Sequence, residues 1–415
     1  MDNVIYIIGI GEDGAGGLAP ESLKKVLESD VLLGGERQLS FFGQYTGDKI
    51  VLKGGLQAFT DKLEKLWKNR KTVVLASGDP LFFGIATALV HKFGAENVEV
   101  IPHYSSVQLA FARLGDSWQD AELVSLHGRP IHGLAQRIDG KAKVAILTDA
   151  VNHPAVIASY LLEFSMMEYE AFVCERLGSR EERCGFWELE ELKGLDRGHF
   201  ASLNVVILRH KPGNVVAARR GFAYADEDFA QRRPDKGLIT KREVRALVLS
   251  ELNLGEQAIV WDIGSGSGAV AVECARIARQ GRVYALEKEA ENLSNIEENR
   301  RRFRADFEII HSKAPQGLKH LPDPDAVFIG GSGGELAAII ALSAARLRPE
   351  GVIVVGAITV ETLHGSMQAL ALAGLEVRVT MLQASRGKPI LDMTRFEGLN
   401  PVYVVSGRCR GVRRQ

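Results

Sequence analysis

Cysteine is scarce in this 415-residue chain: Cys174, Cys184, Cys274 and Cys409 are scattered, and no C-x-x-C pair occurs. That spacing encodes neither a zinc site nor a disulfide framework, and it fits a reducing compartment. The ten histidines include no H-x-x-x-H pair, so no metal centre is expected. Excess charge of either sign is also missing. Lys+Arg number 51 and Asp+Glu 52, a net charge of −1, which excludes an overall basic bias toward nucleic acid. No apolar run approaches the ~20 residues that span a bilayer. The opening M-D-N-V-I-Y-I-I-G-I-G enters a strand without the basic and apolar regions of a secretory signal. A cytoplasmic protein without membrane or nucleic-acid partners is expected.

What is present is apolar residues (46%), enough for sizeable cores, and 43 glycines. The length suggests about two or three domains. Apolar strand runs alternate with helical patterns from end to end, which predicts α/β architecture in both halves. The clearest strands of the first half are 4–10, 72–76, 98–101, 143–147 and 203–208, with helices at 20–29, 84–93, 106–114 and 154–163. The second half gives strands at 258–262, 282–286, 307–310, 326–329, 352–355, 376–382 and 402–405. Its helices are 241–252, 269–279, 289–304, 336–347 and 360–373. The aperiodic, Arg-, Asp-, Gly- and Pro-rich stretch 211–236 reads as a linker between domains 1–210 and 237–415. The arginine-rich end, 408–415, reads as a solvated basic tail.

The most informative stretch is 258–287. An apolar strand leads into Asp262-x-Gly264-x-Gly266-x-Gly268, then a helix, then a second strand ending in Glu287. Glycines at that turn let a ligand approach the backbone, and an acid after the second strand can accept both hydroxyls of a ribose. A dinucleotide loop has the order G-x-G-x-x-G. Here an acid precedes the first glycine; Asp262 would repel a pyrophosphate but suits the ammonium of an amino acid. D-x-G-x-G-x-G resembles the first motif of the class I S-adenosylmethionine (AdoMet) methyltransferases.

Three elements stand out in the first half. A strand runs into G-I-G-E-D-G-A-G-G, where Glu12 and Asp13 make pyrophosphate binding unfavourable. A second strand ends in S-G-D-P, a rigid turn around Gly78, Asp79 and Pro80. Asp79 in that turn is open to two readings, a cofactor contact or a turn residue bonding its own backbone. The third, I-P-H-Y-S-S, opens a helix capped by Ser105 or Ser106. In combination these resemble the class III tetrapyrrole methyltransferases. L-H-G-R at 126–129 and L-T-D-A-V-N-H-P at 147–154 match the branch acting on precorrin-6Y.

That resemblance implies a two-lobed class III fold at the N-terminus, with AdoMet near Gly9, Gly11, Gly78, Asp79, Ser105 and Ser106. Beyond the second glycine turn, G-L-I-T-K-R-E-V-R, I-G-G-S-G-G-E-L and A-S-R-G resemble the class I cobalamin-pathway methyltransferases that decarboxylate their ring. They imply a Rossmann-like domain with a second AdoMet on Thr240, Gly264, Ser265, Gly266, Ser267, Gly268, Glu287 and Ala314. Related chains carry an acid just before that Ala-Pro, where this chain has Lys313. The small residues 330–334, including Ser332, replace the Pro-Pro-aromatic motif that holds base amines and leave room for a polycarboxylate ring. The order of the halves matches a fused family that methylates carbons 5 and 15 of precorrin-6Y and decarboxylates the acetate on carbon 12. The metal-free ring and its cobalt-containing analogue are both compatible with these motifs, as is a reading with an adaptor half and RNA or protein as substrate. Cations to hold ring carboxylates are Arg113 and Arg129 in the first half and Lys241, Arg245, Arg386 and Lys388 in the second. Arg386 is favoured, because its segment is flanked by glycine. A homo-oligomer is expected.

Overall fold

The computed structural model describes residues 4–213, 222–231 and 239–409. Half of the expected linker (214–221 and 232–236), Gly237, and the tail beyond 409 lie outside the described residues. The chain divides into two compact units, taken over their described positions. One is Met1–Pro130, Lys141–Ser159 and Met167–Val215; the other is Ile131–Gly140, Tyr160–Met166 and Val216–Gln415. Two short segments of the first half therefore belong to the second unit. Among the described residues no helix is long and apolar enough to cross a membrane.

The first unit holds two five-stranded sheets. Strands β1 (Ile5–Ile10), β2 (Val31–Gly34), β3 (Asp48–Val51), β4 (Thr72–Ser77) and β5 (Val98–Ile101) form a wholly parallel sheet in the order β3-β2-β4-β1-β5. β1, I-Y-I-I-G-I, is apolar almost throughout because helices cover both faces of such a sheet. Strands β6 (Glu122–Ser125), β7 (Lys143–Leu147), β8 (Tyr169–Glu175), β9 (Arg183–Glu188) and β10 (Asn204–His210) form the second sheet, ordered β6-β7-β10-β8-β9 and mostly antiparallel.

The second unit is an open seven-stranded sheet. It uses β11 (Ile259–Ile263), β12 (Arg282–Glu287), β13 (Glu308–His311), β14 (Ala326–Ile329), β15 (Val352–Ala357) and β16 (Glu376–Leu382). A hairpin of β17 (Ser385–Ile390) and β18 (Met393–Gly398) follows, then β19 (Val402–Arg408). The order β13-β12-β11-β14-β15-β19-β16 is parallel except for β19, which runs against both neighbours. Strand order reverses between β12-β11 and β14, which opens a crevice at the carboxyl ends of the central strands. Both units are α/β, as the alternation predicts. The exposed hairpin was not foreseen: S-R-G-K-P-I and M-T-R-F-E-G show no apolar alternation, because neither face of the pair packs into a core.

Candidate active site

The second unit carries a cavity of about 930 Å³ at that crevice. Its wall includes Thr240, Lys241, Gly264, Ser265, Gly266, Glu287, Ala314 and Ser332. The glycine turn after β11 sits tightly against the small-residue loop after β14: a Cβ on Gly264 would lie 2.5 Å from the Gly331 carbonyl oxygen, at φ +71°. Only glycine fits there. Glu287, the last residue of β12, is buried. Its oxygens accept the N–H groups of Gly266 (2.7 Å) and Glu289 (2.9 Å), so the carboxylate is locked at the cavity wall. A carboxylate has about four lone-pair positions, which leaves acceptor capacity for two ribose hydroxyls.

Ser267 and Gly268 do not belong to this wall. Ser267 is buried, and its carbonyl accepts Asn299 Nδ2 at 2.8 Å. Gly268 is the N-cap of the helix Ala269–Ile277. Asp262 corrects a second expectation. It is wholly buried beneath the turn, and its Oδ2 accepts Ser265 Oγ (2.6 Å) and the Ala271 N–H (3.0 Å). It braces the loop and is not part of the cavity wall, while its Oδ1 has no hydrogen-bond partner among the described residues. Burial pushes its carboxyl up to about 7, against the pull of those two hydrogen bonds.

Three of the four substrate cations expected in the second unit are engaged elsewhere. Arg245 is fully buried, paired with Asp226 (2.8 Å) and Glu273 (2.9 Å), and donates to the carbonyls of Thr240 and Tyr224. It cannot touch a substrate. Its position on the helix Arg242–Leu252, within the buried set Val244, Arg245, Val248, Leu249 and Leu252, is the sequence signal that would have shown this. Arg386, on β17, bonds Glu243 through two nitrogens (2.9 and 2.6 Å) and Asp226 (2.8 Å). It fastens the hairpin to the helix, and its hydrogen bonds hold the Glu243 carboxyl down to about 2. Lys388 pairs with Glu397 across the hairpin. Lys241 differs: it is exposed at the cavity wall and has no ion-pair partner among the described residues. The wall also takes Glu397, Gly398, Leu399 and Asn400 from the end of the hairpin, which no motif had marked.

In the first unit the three motif loops meet at the carboxyl ends of β4, β1 and β5. A Cβ on Gly9 would lie 2.1 Å from the Gly78 carbonyl oxygen and 2.6 Å from the His103 nitrogen. Gly78 in turn approaches Ser105, and Gly11 approaches the His103 ring. Ser105 is the N-cap of the helix Ser106–Leu114: its Oγ accepts the Gln108 N–H and Gln108 Oε1 accepts the Ser105 N–H. Asp79 Oδ1 accepts the Leu81 N–H at 2.8 Å, the bond of a turn residue. Gly9, Gly11, Gly78, Asp79, Ser105 and Ser106 are thus brought together. His103, wedged among them with a buried Nδ1 that has no hydrogen-bond partner among the described residues, was missed. Arg113 is paired with Glu182, and Arg129 lies over the Phe83 ring at 5.7 Å.

Similarity to known proteins follows the same division. The tetrapyrrole (corrin/porphyrin) methylase family matches residues 4–193, and the precorrin methyltransferase domain matches residues 233–407. A precorrin-6Y C(5,15)-methyltransferase (decarboxylating) of Sinorhizobium sp is 33% identical over 412 residues, covering 96% of this chain and 94% of the relative. The cobalt-precorrin-7 C(5)-methyltransferase of Salmonella typhimurium is 34% identical over 180 residues, 43% of this chain and 88% of the relative. The crystal structure of a precorrin-6Y C5,15-methyltransferase from Geobacter metallireducens, 38% identical, covers 46% of this chain and all of that chain with a TM-score of 0.44. Because the full-length relative spans both glycine sites in a single alignment, the chain belongs to the precorrin-6Y C(5,15)-methyltransferase (decarboxylating) family.

Proposed function

We propose that this chain transfers methyl groups from AdoMet to carbons 5 and 15 of precorrin-6Y (precorrin-6B) and decarboxylates the acetate on carbon 12, giving precorrin-8X in cobalamin biosynthesis. Residues 1–210 carry the carbon 5 transfer, and residues 237–415 carry the carbon 15 transfer and the decarboxylation. Each half has its own AdoMet site. The observation that carries the reading is the second unit's cavity, where a locked Glu287, a tight glycine turn and a wide small-residue loop share one wall.

AdoMet, when bound, supplies an activated methyl whose sulfur leaves as a neutral thioether, so no strong acid is required of the protein. The chain's work is alignment and exclusion of water. Glu287 holds the ribose, and the 264–266 backbone and Ala314 hold the remainder. The loop 330–334 gives the ring room and backbone donors. Lys241 holds a ring carboxylate. The apolar wall of Ile239, Val244, Ile358, Leu382 and Leu399 desolvates the carboxylate that is lost, while the ring takes up the electrons. In the first unit Arg129 is the cation available to the substrate, since Arg113 is held by Glu182. A cytoplasmic homo-oligomer is part of the same reading; the exposed hairpin side chains Leu391, Met393 and Phe396 support a covered surface there.

The test is mass spectrometry of the product made from purified chain, AdoMet and precorrin-6Y. Gain of two methyl groups with loss of carbon dioxide is expected. Turnover of the cobalt-containing ring alone would replace the substrate, and no methylation of either ring would end the proposal. Calorimetric titration with AdoMet should give two equivalents per chain.

A further inference from the structure

Two of the four cysteines, distant from any motif, are brought opposite one another by strand register. β8 and β9 pair antiparallel with Cys174 facing Cys184, between the pairs Phe172–Phe186 and Glu175–Arg183. Directly opposed residues point to the same face of a sheet. Both are free thiols. Cys174 is wholly buried, in a core cluster with Val107, Ala110 and Phe111 of the helix that opens at Ser105. Cys184 is exposed, on a strand at the edge of its sheet.

We propose that Cys174 and Cys184 are a redox modification site, closing to a reversible disulfide when they meet a small-molecule disulfide. Opposed Cβ atoms in an antiparallel pair lie ~4.5–5.5 Å apart, and a disulfide needs ~3.5–4.5 Å. The bridge therefore requires an approach of about 1 Å. β9 can supply it, because among the described residues no strand pairs with its outer side. A bridge closed under such strain, with one sulfur at the surface, is of the reducible kind.

The chemistry balances with glutathione disulfide as oxidant. The Cys184 thiolate attacks one sulfur of the oxidant and releases a glutathione thiolate. Cys174 then gives up its proton and attacks the Cys184 sulfur, releasing the second glutathione. Two protein thiols are oxidised by two electrons, and one small disulfide is reduced to two thiols. The second step is intramolecular, so the mixed disulfide does not accumulate. Burial raises both thiols above their ordinary range, which makes the first attack slow at neutral pH without changing the product.

The experiment incubates the full chain with glutathione disulfide, counts thiols after denaturation and maps the peptides. Of four thiols, loss of the Cys174 and Cys184 pair is expected, joined to each other, free of glutathione and restored by dithiothreitol. Replacing buried Cys174 risks the fold, so the variant is Cys184→Ser, in which Cys174 should stay reduced. A stable glutathione adduct on Cys184 would overturn the proposal. So would two persistent thiols at these positions, or oxidation of Cys174 in Cys184→Ser at the wild-type rate.

Discussion

Replacing Asp262 with asparagine should remove a pH dependence of stability that the buried carboxyl imposes on the second unit. In the unfolded chain an aspartate ionises near ~3.9. In the folded chain Asp262 holds its proton up to about 7, because burial penalises the charge more than two hydrogen bonds favour it. Between those values the native state binds one proton more than the unfolded state. Stability is therefore greatest below the unfolded value, falls as pH rises, and levels off once pH passes the folded value. The slope is about 1.4 kcal/mol per pH unit, and the whole interval is worth on the order of 4 kcal/mol at most. An asparagine side chain would keep the shape, and its amide oxygen could accept from Ser265 and Ala271, but it has no proton to lose. Urea unfolding of both proteins from pH 5 to 8, followed by the fluorescence of neighbouring buried Trp261, reads the difference. The wild type should lose stability relative to Asp262→Asn up to about pH 7 and run parallel to it above. Parallel profiles across the whole range would refute the reasoning.

Glu287→Ala should weaken AdoMet binding in the second unit by roughly 1.5–3 kcal/mol, the scale of charge-assisted hydrogen bonds; carbon 15 methylation should fall while carbon 5 methylation continues, read by product mass. Asp139→Ala removes a buried carboxylate that accepts Arg276 at 2.7 Å and Arg304 at 2.8 Å, and should cost the second unit ~3–5 kcal/mol in urea unfolding. Arg386→Ala should release the hairpin and raise the Glu243 carboxyl from about 2 toward its ordinary value. The stability of that pair is present above the ordinary glutamate range and lost as pH falls toward 2. Arg386 is about one-third exposed, so the loss should stay near ~1 kcal/mol at pH 7 and vanish in acid. Equal destabilisation of Arg386→Ala at both ends of an acid titration would argue for another role.

The glycine turns and the buried strands were legible because their signals are local. Asp262-x-Gly264-x-Gly266-x-Gly268 needs only its own φ angles and the apolar run before it, and β1 and β11 are apolar because both faces of their sheets are covered. What failed depended on distant partners. Arg245 read as a substrate cation because Asp226 and Glu273, which neutralise it, are 19 and 28 residues away. Arg386 read as a free cation because Glu243 is 143 residues away. Asp262 was expected to face the ligand because sequence order shows the loop's composition but not its inner side. The edge strand β9 carries an exposed, irregular pattern that resembles a loop, so the opposition of Cys174 and Cys184 could not be seen before the register was known.

The membership of segments 131–140 and 160–166 in the second unit has a consequence for synthesis. Their buried Leu134, Ile138, Leu161, Phe164 and Met166 leave the ribosome well before the body they complete. Asp139 meets Arg304 across 165 residues of chain. At ~5–20 residues per second that separation is on the order of 10 s of translation. For that interval the nascent chain carries apolar side chains and a carboxylate whose counter-charges have not yet been made. The first unit can assemble in that time around two stretches that stay outside it. A ribosome that stalled or a messenger that ended near 211–236 would release a chain with those stretches uncovered.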